Sequence, residues 1–333
     1  MKFLIAGLGS IGRRHLRNLL ALGERDILFY RSGLGTLPNE DLADFLAETD
    51  LEAALGHQPD VVIVSNPTAL HLDVAIPAAR AGCHLLLEKP ISHSDARLDE
   101  LRQAVAQGGG EVLVGYQFRF HPALLRVAEL LAAGEIIRPL SARAHWGECL
   151  PDWHPWEDYR QGYSARKDLG GGVVLTLSHP LDYLRCLLGE VESLWGQTAQ
   201  VSDLELTVED CAEIGLQFAS GALGSLHLDY YQRPASHWLE IIGEGGTIRW
   251  DNEDGGVHLY RADNRTWTSD LPPAGFERND LFLAEMRHMI AVAAGEASPV
   301  CTLDDGIRAL ELALAVHRAS QTGKRVHFPE KGV

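Results

Sequence analysis

The stretch from Phe3 to Ala21, FLIAGLGSIGRRHLRNLLA, constrains the fold of this chain more than any other. A short apolar run turns through Gly7, Gly9 and Gly12 and continues with leucines at helical spacing, which reads as strand, glycine turn and helix. Gly7 permits the tight turn, Gly9 lets the backbone approach a pyrophosphate, and Gly12 lets helix and strand pack closely. The N–H groups at the helix start, around Ser10 and Ile11, are left to meet an anion. This opening predicts a dinucleotide crevice in a doubly wound parallel sheet.

Four further strands continue the pattern. DILFY ends at Arg31 and Ser32, and Arg31 lies 31 minus 12, or 19, residues past the last motif glycine. An acid near this place would hold a ribose 2′-hydroxyl, whereas a guanidinium and a hydroxyl match a 2′-phosphate, so NADP is preferred over NAD. PDVVIVSNPTALH ends its strand at Asn66 and Pro67, with His71 just beyond, and CHLLLEKP ends at Glu88, Lys89 and Pro90. EVLVGYQFRF brings Gln117 and Arg119 to another strand end. Ligands of open parallel sheets bind beyond the carboxyl ends of the strands. Asn66, Pro67, His71, Glu88, Lys89 and Gln117 therefore join Gly7, Gly9, Ser10, Ile11, Gly12, Arg31 and Ser32 as expected cofactor contacts.

At 333 residues, two domains are expected, with a boundary near 120: residues 1–120 as the dinucleotide-binding domain and 121–333 as a second α/β domain. The 29 basic and 46 acidic residues give a net charge of −17, which disfavours nucleic acid and anionic lipid as partners. No apolar run reaches the length of a membrane span, and a cytoplasmic location is expected. The five cysteines are widely spaced and the histidines scattered, so neither a disulfide framework nor a metal site is expected.

Residues 170–184, GGGVVLTLSHPLDYL, place three glycines before an apolar run and a single imidazole beside a proline. The run from Val173 has helical spacing, which puts Thr176, His179, Asp182 and Tyr183 on one face. Pro180 should kink that helix and turn His179 outward. An imidazole at such a break can exchange protons near neutral pH, and a structural histidine packed in a core is the competing reading.

Upstream, LPDWHPWEDYRQGYSARKDLGGG gathers aromatic rings and cations. Trp153 and Tyr163 can lie against a sugar, and Arg119 and Lys167 can hold an anionic group, with Thr176 and Asp182 completing a substrate surface. The alternative for the tryptophans is packing of the loop onto a sheet. Beyond residue 190, alternating segments separated by GEGG and DNEDGG predict an antiparallel sheet, and a last helix is expected over about 303–322. That helix could pack back toward the first domain.

GLGSIG, LEKP, GYQFRFHP and GGGVVLTLSHPLD, in this order, resemble the glucose-fructose oxidoreductase, inositol dehydrogenase and MocA family, usually called Gfo/Idh/MocA. The resemblance runs on to the closing CTLDDGIRALELALAVHRASQTGKRV. The segment ECLPDWHPWEDYRQGYSARKDLGGG is similar to members associated with bacterial surface-sugar and nonulosonic acid biosynthesis. The resemblance implies a Rossmann domain followed by an α/β domain with a large, open, mainly antiparallel sheet, through which homodimers or homotetramers form. It implies NAD(P)-dependent oxidation of a small sugar's hydroxyl, or reduction of the matching ketone, and the cations upstream of the glycine run fit an anionic sugar. Lys89 and His179 would be the catalytic pair, and the peptide before Pro90 would be cis.

The chain departs from that pattern in one respect. Relatives commonly carry an aspartate three or four residues before the histidine, where this sequence has Leu175 and Thr176. A threonine cannot raise the basicity of an imidazole as a carboxylate does, and Asp182 is the nearest substitute. Two other functions remain open: transient oxidation of one substrate by a tightly held NAD(P), and a cofactor-binding regulator or scaffold without turnover.

Overall fold

The structure, a computed structural model, describes residues 1–31 and 42–329. The chain forms two units, one of Met1–Gln117 with Glu277–Leu310, the other of Phe118–Phe276 with Glu311–Val333.

The first unit opens with β1 (Lys2–Ala6), α1 (Ser10–Ala21), β2 (Asp26–Tyr30), β3 (Leu46–Glu48), α2 (Leu51–Gly56), β4 (Val61–Val64), α3 (His71–Arg80), β5 (His84–Leu87), α4 (Leu98–Gly108) and β6 (Val112–Val114). The strands form one parallel sheet in the order β3-β2-β1-β4-β5-β6. The chain winds outward in both directions from β1 and β4, so their carboxyl ends flank the topological switch point. Phe3 to Ala6 and Val61 to Val64 are wholly buried. This is why the strands read as continuous apolar runs: helices cover both faces of a parallel sheet, leaving no polar side to alternate with.

The second unit contains α5 (Pro122–Ala132), β7 (Pro139–Gly147), α6 (Leu150–Trp153), α7 (Val173–Thr176), α8 (His179–Leu188), β8 (Val191–Ala199), β9 (Cys211–Phe218), β10 (Leu223–Asp229), β11 (Ser236–Gly243), β12 (Gly246–Asp251), β13 (Val257–Arg261) and β14 (Thr266–Asp270). The chain continues through α9 (Arg278–Ala293) of the first unit and α10 (Leu303–Thr322), which contributes to both, to β15 (Val326–His327). The sheet order is β14-β13-β12-β11-β7-β10-β9-β8-β15, and every pair is antiparallel except β7 with β10. The GEGG and DNEDGG turns join β11 to β12 and β12 to β13, as expected from the sequence.

The central strand β7 was not foreseen in the sequence. Its inward positions are Ala142, Ala144 and Trp146, and alanine carries little strand signal. Helices α5, α7 and α8 cover one face of the sheet. On the other face Trp195, Leu223 and Trp267 are about half exposed.

One local expectation is corrected. The run from Val173 is not a single helix kinked at Pro180 but two helices, α7 and α8, separated at Leu177 and Ser178. Pro180 lies in the first turn of α8, where a missing N–H breaks no helical bond, and His179 is 1% exposed rather than turned outward. Among the described residues no helix is long and apolar enough to cross a membrane.

Candidate active site

In the first unit the glycine turn is tight on one side and open on the other. Gly7 has φ +98°, and a Cβ there would lie 2.5 Å from the Asn66 backbone nitrogen. A Cβ on Gly12 would lie 2.0 Å from the Gly7 carbonyl oxygen, whereas one on Gly9 would meet nothing within 4 Å. The buried Ser65 hydroxyl donates to the Gly7 carbonyl at 2.9 Å and so braces the turn from β4. Gly9 caps α1, no side chain caps the helix start, and Gly9 and Ser10 are exposed. Backbone N–H groups at an uncapped helix start beside an unobstructed glycine fit a pyrophosphate.

The other predicted contacts are held at neighbouring strand ends. His71 lies between two loops, its Nδ1 2.9 Å from the Pro90 carbonyl oxygen and its Nε2 2.9 Å from that of Asn66. Burial pushes this imidazole below its ordinary pKa, against the opposing influence of Glu88 and the carbonyls. His71 therefore ties the turn after β4 to the cis Lys89–Pro90 segment after β5. Asn66 donates to the Leu70 carbonyl at 2.9 Å, and Pro67 leads into the same short turn. Gln117 is 5% exposed at the start of a short 3₁₀ turn. Arg31 follows β2 and donates its backbone N–H to Glu48, while Ser32 lies outside the described residues.

In the second unit Arg119 and Asp182, both expected on the substrate side, are bonded to each other. The guanidinium donates from Nε and Nη2 to the two carboxylate oxygens at 2.9 and 2.6 Å. One turn earlier on α8, His179 packs against Phe118, 4.8 Å between ring centroids, and Trp146, 5.5 Å. The same rings enclose two further buried histidines. Trp146 stacks on His237 at 4.3 Å, and His237 Nε2 lies 3.2 Å from the Tyr183 hydroxyl. His121 stacks on Phe118, and burial pushes its pKa down to about 4.

Three other predicted residues gather around Tyr230, a position that the sequence reading did not single out. Trp153 meets this fully buried ring edge-on at 5.6 Å, its hydroxyl donates to the Ser164 carbonyl at 3.4 Å, and Thr176 and Tyr163 are close enough to act on it electrostatically. The glycine run permits this packing: a Cβ on Gly171 would lie 2.2 Å from the Tyr163 carbonyl oxygen, and one on Gly172 2.5 Å from Glu209. In the loop, Arg160 pairs with Asp158 and Glu205, and Arg166 pairs with Asp168. Lys167 is exposed and makes no ion pair among the described residues.

Phe118, Trp146, Tyr230 and His237 were therefore missed as neighbours of the predicted residues. Only Phe118 lay inside a quoted motif. Trp146 and His237 sit on strands and Tyr230 just past the end of β10, and register, not local sequence, brings them together.

Comparison with known proteins agrees with this architecture. Residues 1–116 match the family model described as "Oxidoreductase family, NAD-binding Rossmann fold", and residues 124–249 match the GFO/IDH/MocA C-terminal domain. The chain is 28% identical to 1,5-anhydro-D-fructose reductase of Ensifer adhaerens, over 83% of this chain and 82% of that one. It is 25% identical to myo-inositol 2-dehydrogenase of Thermotoga maritima, over 99% of each. Its fold superposes on levoglucosan dehydrogenase, solved with NADH and levoglucosan, with a TM-score of 0.87 at 20% identity, covering 99% of this chain and 100% of that one. The chain belongs to the GFO/IDH/MocA family of oxidoreductases and carries the family's NAD-binding Rossmann domain.

Proposed function

We propose that this protein transfers a hydride between a nicotinamide dinucleotide and a hydroxyl or ketone carbon of a sugar or sugar derivative. The observation that carries the reading is the open glycine turn at the head of α1, in a sheet where Lys89 follows β5, two strands along from β1. Membership in an oxidoreductase family, and relatives named for anhydrofructose and inositol, support the substrate class.

Gly7, Gly9, Ser10, Ile11 and Gly12 hold the pyrophosphate, while Asn66, Pro67 and Gln117 border the dinucleotide. A nicotinamide held there would supply the acceptor or donor of the hydride. In the oxidative direction the carbinol C–H bond breaks with loss of a hydride, and the hydroxyl proton passes to His179 as general base. Lys89 stabilises the negative charge that develops on that oxygen. In reduction the two residues act in reverse. Asp182, gripped by Arg119, stiffens α8 one turn from His179, so Arg119 acts through Asp182. Lys167, with Trp153 and Tyr163, meets an anionic or polar group of the sugar.

Arg31 favours NADP, because its guanidinium suits a 2′-phosphate. Copies of the chain associate through the open sheet face that carries Trp195, Leu223 and Trp267.

Titration of the purified protein with NADPH and NADH, followed by calorimetry, tests the reading. Binding of NADPH about tenfold or more tighter than NADH, reduced to parity by Arg31→Ala, is expected. No binding of either by folded protein free of retained cofactor would overturn the oxidoreductase reading in favour of a regulator or scaffold.

A further inference from the structure

Three titratable side chains of the first unit are buried against one another. His15 lies on the inner face of α1, Glu88 follows β5 immediately before Lys89, and Glu285 lies on the buried face of α9. His15 and Glu285 have no exposed surface. His15 Nε2 is 2.7 Å from Glu88 Oε1, and one donor atom from each of the three groups lies within 4.8 Å of the others. The second Glu88 oxygen accepts from the Lys89 backbone N–H at 3.3 Å, and a Cβ on Gly115 would lie 3.0 Å from it.

Glu285 is the anomaly in this group. Its neighbours along the buried face of α9 are Leu281, Phe282, Met286 and Met289, so an apolar residue would satisfy the packing. Neither of its oxygens has a hydrogen-bond partner among the described residues, nor does Nδ1 of His15. A buried polar group without a partner is costly, and an ionised one more so.

We propose that Glu285 is a positioning residue, whose carboxyl group supports the His15–Glu88 pair and, through it, the backbone that orients Lys89. The inference rests on the catalytic reading of Lys89 given above. Burial, with the charge of Glu88, pushes the Glu285 carboxyl well above the usual carboxylate range and so favours its neutral acid form. Burial also opposes ionisation of Glu88, but His15, Lys89 and His71 outweigh it and hold that carboxyl below the usual range. One carboxylate and one carboxylic acid thus share the pocket, and the acid offers an O–H donor without adding a second negative charge. From α1, Arg14 lies over the Phe282 ring at 4.5 Å and interacts with Glu88, Arg17 and Arg278. These cations, with His15, Glu88, Lys89 and His71, are the charged and titratable groups around the network.

The test compares the full-length wild type with Glu285→Gln, a neutral isostere, and Glu285→Leu. The chain has five lysines, so reductive ¹³C-methylation resolves the titration of Lys89 by NMR without any substrate. Glu285→Gln is expected to leave that titration at its wild-type position, and Glu285→Leu to move it by about half a pH unit or more. Denaturation from about pH 5 to about pH 9 supplies a second readout. A raised folded-state pKa means that the folded chain keeps a proton which the unfolded chain has released. The wild type should therefore lose stability relative to Glu285→Gln as pH rises, by up to about tenfold in the unfolding constant per unit.

Parallel stability curves for the wild type and Glu285→Gln would overturn the proposal. So would a Lys89 titration unmoved in Glu285→Leu, or a stoichiometric divalent cation retained by the wild type and lost in Glu285→Gln. If Glu285→Leu fails to fold, the Glu285→Gln arms still decide. NADH titration of the same samples is a separate test: wild type that binds none removes the catalytic reading and leaves the NMR and stability outcomes standing.

Discussion

The Arg119 guanidinium and the Asp182 carboxylate meet in a two-pronged ion pair, with N–O distances of 2.9 and 2.6 Å and the Asp182 side chain 1% exposed. Removing one partner leaves the other charge buried without its main counter-charge. Asp182→Ala is expected to lower stability by about 3 kcal/mol, and the Arg119→Ala/Asp182→Ala double variant by less than the sum of the single losses. Urea denaturation of the four proteins checks this; additive losses would show that the pair is not coupled.

The two faces of the glycine turn should respond differently to one methyl group. In Gly12→Ala the methyl would press on the Gly7 carbonyl oxygen, a backbone atom, so a loss of about 2 kcal/mol in stability is expected. Gly9 has φ −69° and open space, so Gly9→Ala should fold with stability within about 1 kcal/mol of the wild type. It should nonetheless bind NADH about tenfold or more weakly, because the methyl occupies the approach of the pyrophosphate. Calorimetry and thermal melts on both variants separate the two effects.

His121 gives the second unit an acid-sensitive component. Its Nδ1 accepts the Ala123 N–H at the start of α5, and burial lowers its pKa from 6.5 to about 4. Below 6.5 the unfolded chain takes up this proton and the folded chain does not. The contribution is therefore complete above pH 6.5 and lost as pH falls toward 4, about 3 kcal/mol in all. His121→Asn keeps a capping acceptor without the titration. Its stability should fall less steeply than that of the wild type across this window, and equal slopes would remove His121 as the cause.

Lys89→Met and His179→Ala should each lower kcat by about a hundredfold or more on whichever sugar proves to be turned over. NADH affinity should change by less than about threefold in His179→Ala, since that residue is assigned to the proton rather than the dinucleotide. Steady-state kinetics beside cofactor titration make the comparison. A full loss of NADH binding in His179→Ala would move that residue out of its assigned role.

Strand, glycine turn and helix at the N-terminus were legible because each depends on neighbours in the chain. The apolar runs Phe3–Ala6 and Val61–Val64, the helix starting at Ser10 and the last helix at Leu303–Thr322 all lie where local pattern puts them. The alanine-rich β7 was not legible, because its partners β10 and β11 begin at Leu223 and Ser236, far along the chain. The run after Gly172 misled for a related reason. Its spacing is helical throughout, but Glu209 holds the start of α7 through hydrogen bonds to Val173 and Val174, and α8 begins anew after Leu177 and Ser178.

Local sequence alone determined the parallel sheet, the glycine turn and the residue types at the strand ends, since backbone sterics and hydrophobic period act over a few residues. Tertiary structure alone decided the pairings. Arg119 meets Asp182 rather than solvent, Thr176 turns to Tyr230, and Glu285 lies against a histidine and a glutamate far from it in sequence. The reason is electrostatic and steric: a buried charge or hydroxyl takes its state from what surrounds it, and packing brings those surroundings from distant parts of the chain.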